Sequence, residues 1–215
     1  MKIGTDGVLA GAWANAESAR SILDVGTGCG LIALMMAQRF PEASVDAIDT
    51  DAAALADAAE NIANSPFNDR IKPFQGDFLA YDFRGKYDFI VSNPPFHPQD
   101  TLSPDISRAT ARNAASLPVE PFARKISLLL EEKGSAVVIY PYDYAGHVIR
   151  SFGDNGLFLH RRLDIKGAPH RPFKRSLLHF TAETGQFSHE ELCICNADGS
   201  RSETYKTLTG DFHPF

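Results

Sequence analysis

The stretch SILDVGTGCG, residues 21–30, decides the fold. Ser21 to Val25 is a short apolar run that reads as a strand, and Gly26, Gly28 and Gly30 follow it at alternate positions. LIALMMAQR then reads as a helix from Leu31 to Arg39, stopped ahead of Pro41. A strand, a glycine turn and a helix in that order open a parallel sheet whose ligand crevice lies at the carboxyl ends of its strands. Working outward, Ser44 to Asp49 is a second strand, and Asp51 to Asn64 a helix with Leu55, Ala58, Ala59 and Ile62 at helical spacing. Ile71 to Gln75 is a third strand. Tyr87 to Ser92 is a fourth, running straight into Asn93-Pro94-Pro95, which cannot continue a ladder. An irregular region from Phe96 to Ser116 precedes a helix over Val119 to Glu132 and a fifth strand over Ser135 to Tyr140. A helix over Asp143 to Phe152 is closed by Gly153 and Gly156, and Phe158 to Ile165 and Ser176 to Thr181 read as a final pair of strands joined by a basic loop. The alternation predicts an α/β fold with helices on both faces of the sheet. No repeat or linker divides the chain, so residues 1–215 are expected to form one domain.

The bulk properties narrow the class. No apolar run approaches the roughly 18 residues of a membrane span, and a soluble, cytoplasmic protein is expected. Cys29 lies far from Cys193 and Cys195, which argues against a disulfide framework; Cys193-x-Cys195 lacks a second ligand pair at zinc spacing, so no metal is expected. The net charge of -6 excludes a surface that is basic throughout. Locally, however, RRLDIKGAPHRPFKR from Arg161 to Arg175 sets six cations against Asp164. It is either a solvated loop between strands or a nucleic-acid contact. Monomeric behaviour is expected.

The glycine turn alone is a weak signal, because nicotinamide and flavin enzymes use a similar one. Two details depart from the dinucleotide pattern: Leu31 stands where its third glycine belongs, and Asp24 would face a pyrophosphate with like charge. A cationic ligand suits an acid there, and S-adenosylmethionine carries a sulfonium, an ammonium and no phosphate. The expected cofactor contacts are Asp24, Gly26, Thr27, Gly28 and Gly30, with S-adenosylhomocysteine as the product. Asp49 ends the second strand where an acid accepts from ribose hydroxyls, or else it caps the next helix, a role open also to Thr50 and Asp51. Asp77 is either an acceptor for an adenine amino group or a turn carboxylate, and Phe78 an apolar wall. Thr50 completes the expected set on that side.

Asn93-Pro94-Pro95-Phe96 carries the expected chemistry. An exocyclic amine on a heteroaromatic ring is a poor nucleophile because its lone pair is delocalised. The side-chain carbonyl of Asn93 and the backbone carbonyl of Pro94, oriented by two proline rings, can accept its two N–H groups and free the lone pair. Phe96 would stack on the base. In a doubly wound sheet the fourth strand adjoins the first, which puts Asn93 across the crevice from Gly26 and within reach of the cofactor.

DVGTGCG followed by NPPF resembles the amino-directed Rossmann methyltransferases, which include nucleic-acid adenine and guanine N-methyltransferases and protein glutamine methyltransferases. That resemblance implies a seven-stranded sheet in the order 3-2-1-4-5-7-6, with strand seven antiparallel. MKIGTDGVLAGAWA at the start, ARNAASL from Ala111, PHRPFKRSLLHF from Pro169 and SETYKTLTGDF near the end are similar to the bacterial tRNA1(Val) adenine-N6 methyltransferase family over nearly the whole chain. The family methylates the adenine immediately 3′ of the anticodon, position 37, so the resemblance implies tRNA as partner. It also implies that GTDG at Gly4 to Gly7 lies over the cofactor, with Thr5 and Asp6 as contacts or helix caps, and a leading segment that this chain, starting at Met1, does not carry. Candidate RNA contacts are then His97, Arg112, Arg161, Arg171, Lys174 and Arg175. NPPFH also resembles the ribosomal-RNA guanine-N2 methyltransferases, so His97 is a substrate contact or a surface-loop histidine. A protein glutamine methyltransferase and an inactive RNA-binding relative of the same fold remain open on the residues alone.

Overall fold

Val25 closes β1 (Ser21–Val25) and pairs in register with Ile48 of β2 (Ser44–Asp49) on one side and Ser92 of β4 (Tyr87–Ser92) on the other. The computed structural model describes residues 4–95 and 117–212. β3 (Ile71–Gln75) pairs parallel with β2, and β5 (Leu130–Pro141) parallel with β4. β7 (Phe173–Thr181) runs antiparallel to both β5 and β6 (Phe158–Lys166). The sheet order is β3-β2-β1-β4-β5-β7-β6-β8, which is the expected order with one strand more. That strand, β8 (Ser188–Cys193), lies parallel to β6 at the edge. Its first four residues are exposed and only Leu192 is buried, so it lacks the alternation that announces a strand.

Helices cover both faces. α2 (Leu31–Arg39), α3 (Ala52–Ala63), α1 (Thr5–Trp13) and α6 (Glu203–Thr209) bury apolar residues against one face, including Met36, Ala58, Leu9 and Tyr205. α4 (Val119–Leu129) and α5 (Ala145–Gly153) cover the other through Phe122, Ile126, Val148 and Phe152. α1 gives no apolar periodicity in the sequence, where a helix start is implied only by a capping role open to Thr5 and Asp6. It packs so tightly on α2 that a Cβ at Gly11 would lie 2.5 Å from Met35 Sδ; its glycines, poor helix formers, are what permit that approach.

Several boundaries move, among them the start of β5, which is Leu130 instead of Ser135. α4 stops at Leu129 instead of Glu132, because Leu130 already pairs with Tyr87. The register then slips before Phe89 pairs Ser135, and at Gly134 a Cβ would lie 3.0 Å from the carbonyl oxygens of Glu131 and Tyr87. The segment expected to be helical from Asp143 begins as a 3-10 turn, Tyr142–Tyr144, before α5. Most of the basic stretch is strand: Arg161, Arg162 and Lys166 belong to β6 and Phe173 to Arg175 to β7, leaving residues 167–172 as the connecting loop.

Candidate active site

The carboxyl ends of β1, β2, β3 and β4 border a cleft of about 840 Å³, a size suited to a small-molecule site. Gly26 and Gly28 shape its floor with φ of 73° and 56°, a region that side chains disfavour; Gly30, at 82°, does not line the cleft, and a Cβ there would come within 3.3 Å of Ala58 Cβ on α3. At Gly26 a Cβ would meet no protein atom within 4 Å, so the open space there belongs to the cleft. The loop is held from beneath: Ile48 O accepts from both Gly26 N and Thr27 N, at 2.9 and 3.1 Å.

Asp24 does not stand in this cleft, which corrects the sequence reading of that residue. Strand alternation turns its side chain toward the first turn of α2, and it is 0% exposed. Its Oδ2 accepts from Thr27 Oγ1 at 2.6 Å and from Ala33 N at 3.0 Å. Gly30, the N-cap of α2, offers no side chain to the free N–H groups of the first turn, and Asp24 takes that part. Burial pushes its carboxyl up to about 7; the bonds from Thr27 and Ala33 oppose the rise, and the nearby Asp49 charge adds to it.

Other acids supply the cleft's polarity. Asp49, Asp51 and Asp77 line it, while among the described residues no Lys, Arg or His does. Asp49 accepts from Gly28 N at 2.8 Å through Oδ2 and from Asp51 N at 3.0 Å through Oδ1, so it braces the glycine loop and the start of the next turn. The cap of α3 is Asp51, which accepts from Ala53 N. Each Asp49 oxygen keeps a second lone pair for a ligand hydroxyl. Thr50 lines the rim and gives its carbonyl to Gln75. Asp77 is exposed, with Oδ1 accepting from Leu79 N at 2.9 Å. Phe78 is buried and packs edge-on against Phe122 at 5.4 Å, presenting a rigid wall.

Ser92 and Val25 are register partners, so the next residues, Asn93 and Gly26, face each other across the mouth. Buried Ser92 locks that junction by donating to Val25 O at 2.7 Å. Asn93, Pro94 and Pro95 line the cleft. α1 lies above: Gly4 and Gly7 line the cleft, and a Cβ on Gly7 would come within 3.9 Å of Asn93 Nδ2. Thr5 is exposed and not part of the lining, and neither Thr5 nor Asp6 caps α1, whose N-cap is Gly4. Leu117 and Pro118, which carried no signal in the sequence, complete the wall. Phe96, His97 and Arg112 lie outside the described residues.

The cleft therefore offers glycine backbone, carboxylates at successive strand ends and an amide at the mouth. Residues 4–118 match the family described as "Methyltransferase small domain". The chain is 41% identical over 99% of its length to the tRNA1(Val) (adenine(37)-N6)-methyltransferase of Bacteroides thetaiotaomicron, covering 90% of that protein. The chain belongs to this methyltransferase family. The corresponding methyltransferase of Yersinia enterocolitica is 36% identical over 99% of this chain and 86% of its own. Among solved structures, a predicted O-methyltransferase from Agrobacterium tumefaciens superposes with a TM-score of 0.74 over 98% of both chains at 16% identity, a likeness of fold.

Among the described residues no cluster of three or more His, Cys, Asp or Glu could hold a metal ion, and no helix is long and apolar enough to cross a membrane. Of the cations named in the sequence, Arg175 pairs with Asp6 at 2.7 Å, and Arg161 pairs with Glu190 at 3.3 Å while lying 4.6 Å over the Trp13 ring. Arg171 and Lys174 are exposed.

Proposed function

We propose that this methyltransferase transfers a methyl group from S-adenosylmethionine to the exocyclic N6 of an adenine in tRNA, the one 3′ of the anticodon at position 37 of tRNA1(Val), in the cytoplasm. The observation that carries the reading is the placement of Asn93 opposite Gly26, at the mouth of a cleft lined by acids and no described cation. A pyrophosphate would be repelled there, whereas a cationic ligand is not. The residues fit the cofactor: the glycine loop admits a close ligand, Asp49 suits ribose hydroxyls, Asp77 an adenine amino group, and Phe78 and Leu79 an apolar face. The names and near-complete coverage of the relatives support tRNA as the substrate. The unbroken sheet from Ser21 to Cys193 supports residues 1–215 acting as one unit.

When bound, S-adenosylmethionine supplies a methyl group already activated on a sulfonium. The protein's part is alignment. The Asn93 side-chain carbonyl and the Pro94 carbonyl accept the two N–H groups of the adenine amine, turning its lone pair toward the cleft. With the donor held by the glycine loop and Asp49, an N–C bond would form as the donor's C–S bond breaks, and the surplus proton on nitrogen would pass to water. A stacking contact on the base, the part expected of Phe96 from its place after the turn, is worth about 1–3 kcal/mol. A single-stranded target costs little to unstack.

The test is nucleoside mass spectrometry of unmodified tRNA1(Val) after incubation with protein and S-adenosylmethionine. N6-methyladenosine at position 37 is expected, with Asn93→Ala abolishing turnover and retaining cofactor binding. Label found only in ribosomal RNA or protein would overturn the substrate, and full activity of Asn93→Ala would overturn the mechanism.

A further inference from the structure

The basic stretch sorts into engaged and available cations. Arg161, Arg162, Lys166 and Arg175 pair with Glu190, Asp164, Glu191 and Asp6 respectively. Arg171 and Lys174 are exposed and form no ion pair among the described residues. Between them in sequence stands Phe173, whose half-buried ring stacks on Tyr142 with centroids 5.2 Å apart and planes 28° apart. The Lys166 ammonium lies 4.8 Å from the Phe173 centroid and the Arg162 guanidinium 5.3 Å from that of Tyr142. The two rings thus stack on each other with a cation over each, leaving their edges for contact, and exposed Arg171 and Lys174 flank Phe173 in sequence.

Topology puts these rings at the same end of the sheet as the catalytic turn. β7 starts where β6 ends, with Lys166 opposite Phe173, and Arg175 is opposite Pro141 at the end of β5. The rings therefore lie off the same carboxyl end of the sheet as Asn93, two strand spacings across and, by register, four residues farther out than Leu177, which is level with Asn93: about 16 Å in all. Tyr142, Phe173, Arg171 and Lys174 all lie outside the lining of the cofactor cleft. The cleft lining is acidic and the whole chain has a net charge of -6, so this end is a local site of attraction for a polyanion.

We propose that the Tyr142–Phe173 pair docks the RNA that flanks the methylated base, with a base against the edge of the cation-capped ring stack and Arg171 and Lys174 on the neighbouring phosphates. Rings with adjoining cations bind single-stranded nucleic acid without needing a fixed sequence, and an acidic protein would use the cations but not the rings. Arg161 takes no part: it pairs with His179 at the level of Val137, well inside that end of the sheet, and lies over Trp13. The proposal rests on RNA being the substrate.

The experiment measures binding of an unmodified anticodon stem-loop by fluorescence anisotropy, its methylation, and cofactor affinity by calorimetry. Arg171→Glu with Lys174→Glu alters exposed side chains only. It should weaken RNA binding at least tenfold, raise KM with kcat and cofactor affinity near wild type, and flatten the dependence of log affinity on log salt by about 1–2. Phe173→Leu should weaken RNA binding several-fold with an unchanged salt slope, provided the thermal midpoint shows the hairpin intact. If the wild type methylates the stem-loop and the charge-reversed protein binds it equally well, the Tyr142–Phe173 pair is not the docking site and the substrate reading stands. Loss with Arg171→Glu and Lys174→Glu but none with a folded Phe173→Leu overturns the role of the rings. A wild type that neither binds nor methylates tRNA overturns both readings.

Discussion

Asp6 and Arg175, 169 residues apart in sequence, meet at 2.7 Å. The contact joins the first turn of α1, which roofs the cleft through Gly4 and Gly7, to the first residues of β7. With side-chain exposures of 35% and 40%, the pair contributes little to global stability, below about 1 kcal/mol. Its effect should fall on the roof. Asp6→Asn is expected to weaken S-adenosylmethionine binding several-fold by calorimetry while moving the thermal midpoint little, and exchanging the two residues should restore most of the affinity. Unchanged affinity in Asp6→Asn would show that α1 holds its place without the link.

Gly26 offers a sharper probe of the cleft floor. Its φ of 73° makes a side chain there cost about 1–2 kcal/mol, and no protein atom would obstruct the added methyl. Gly26→Ala should therefore lower the thermal midpoint modestly and cofactor affinity at least tenfold. Loss of stability with cofactor affinity intact would place the cofactor elsewhere.

Ser92→Ala removes the hydroxyl that donates to Val25 O inside the β1–β4 junction. The unsatisfied carbonyl should cost about 1–3 kcal/mol in denaturant unfolding. Because this bond aligns Asn93 with Gly26, kcat should fall more than the KM for cofactor rises. Steady-state kinetics showing both constants unchanged would separate the bond from catalysis.

Two buried groups give the cofactor-free protein opposing responses to pH. The folded Asp24 carboxyl is raised from 3.8 to about 7, so its contribution is full below 3.8 and lost as pH rises through about 7. His179 is lowered from 6.5 to about 4, first by burial and then by His160 and Arg161, so its contribution is present above 6.5 and lost as pH falls through about 4. Their slopes oppose each other over the same window. Asp24→Asn should leave a protein that loses stability toward acid relative to wild type, and His179→Leu one that loses stability toward neutral pH. Thermal unfolding at several pH values between about 4 and 7 distinguishes them; parallel curves for both variants would contradict the assignment.

The central strands were legible because their signals are local. SILDV, SVDAID, IKPFQ and YDFIVS are short runs bounded by turn residues, and the observed limits of β1 to β4 coincide with them. Once β1 and β4 are neighbours, the Asn93–Gly26 juxtaposition follows. Features set by distant partners were hidden. α1 contains Gly7 and Gly11, whose value lies in contacts with α2 and the cleft. β8 has a polar, exposed start and is defined by pairing with β6. The sequence brings Asp24 near the ligand loop, but its orientation depends on Ala33 N, nine residues on. The basic stretch reads as one patch because the acids that neutralise half of its six cations, Asp6, Glu190 and Glu191, lie on α1 and β8.

The reversal of β7 has a consequence for how such an enzyme can diversify. Parallel neighbours need a crossover of a dozen or more residues, usually through a helix, whereas antiparallel ones can be joined by a short turn. Residues 167–172 make that turn at the catalytic edge, outside the βα units that build the cofactor cleft. Insertions or exchanges at this turn leave the geometry of the methyl-donor half untouched, so under the proposed docking of RNA the hairpin is a natural graft point for changing substrate.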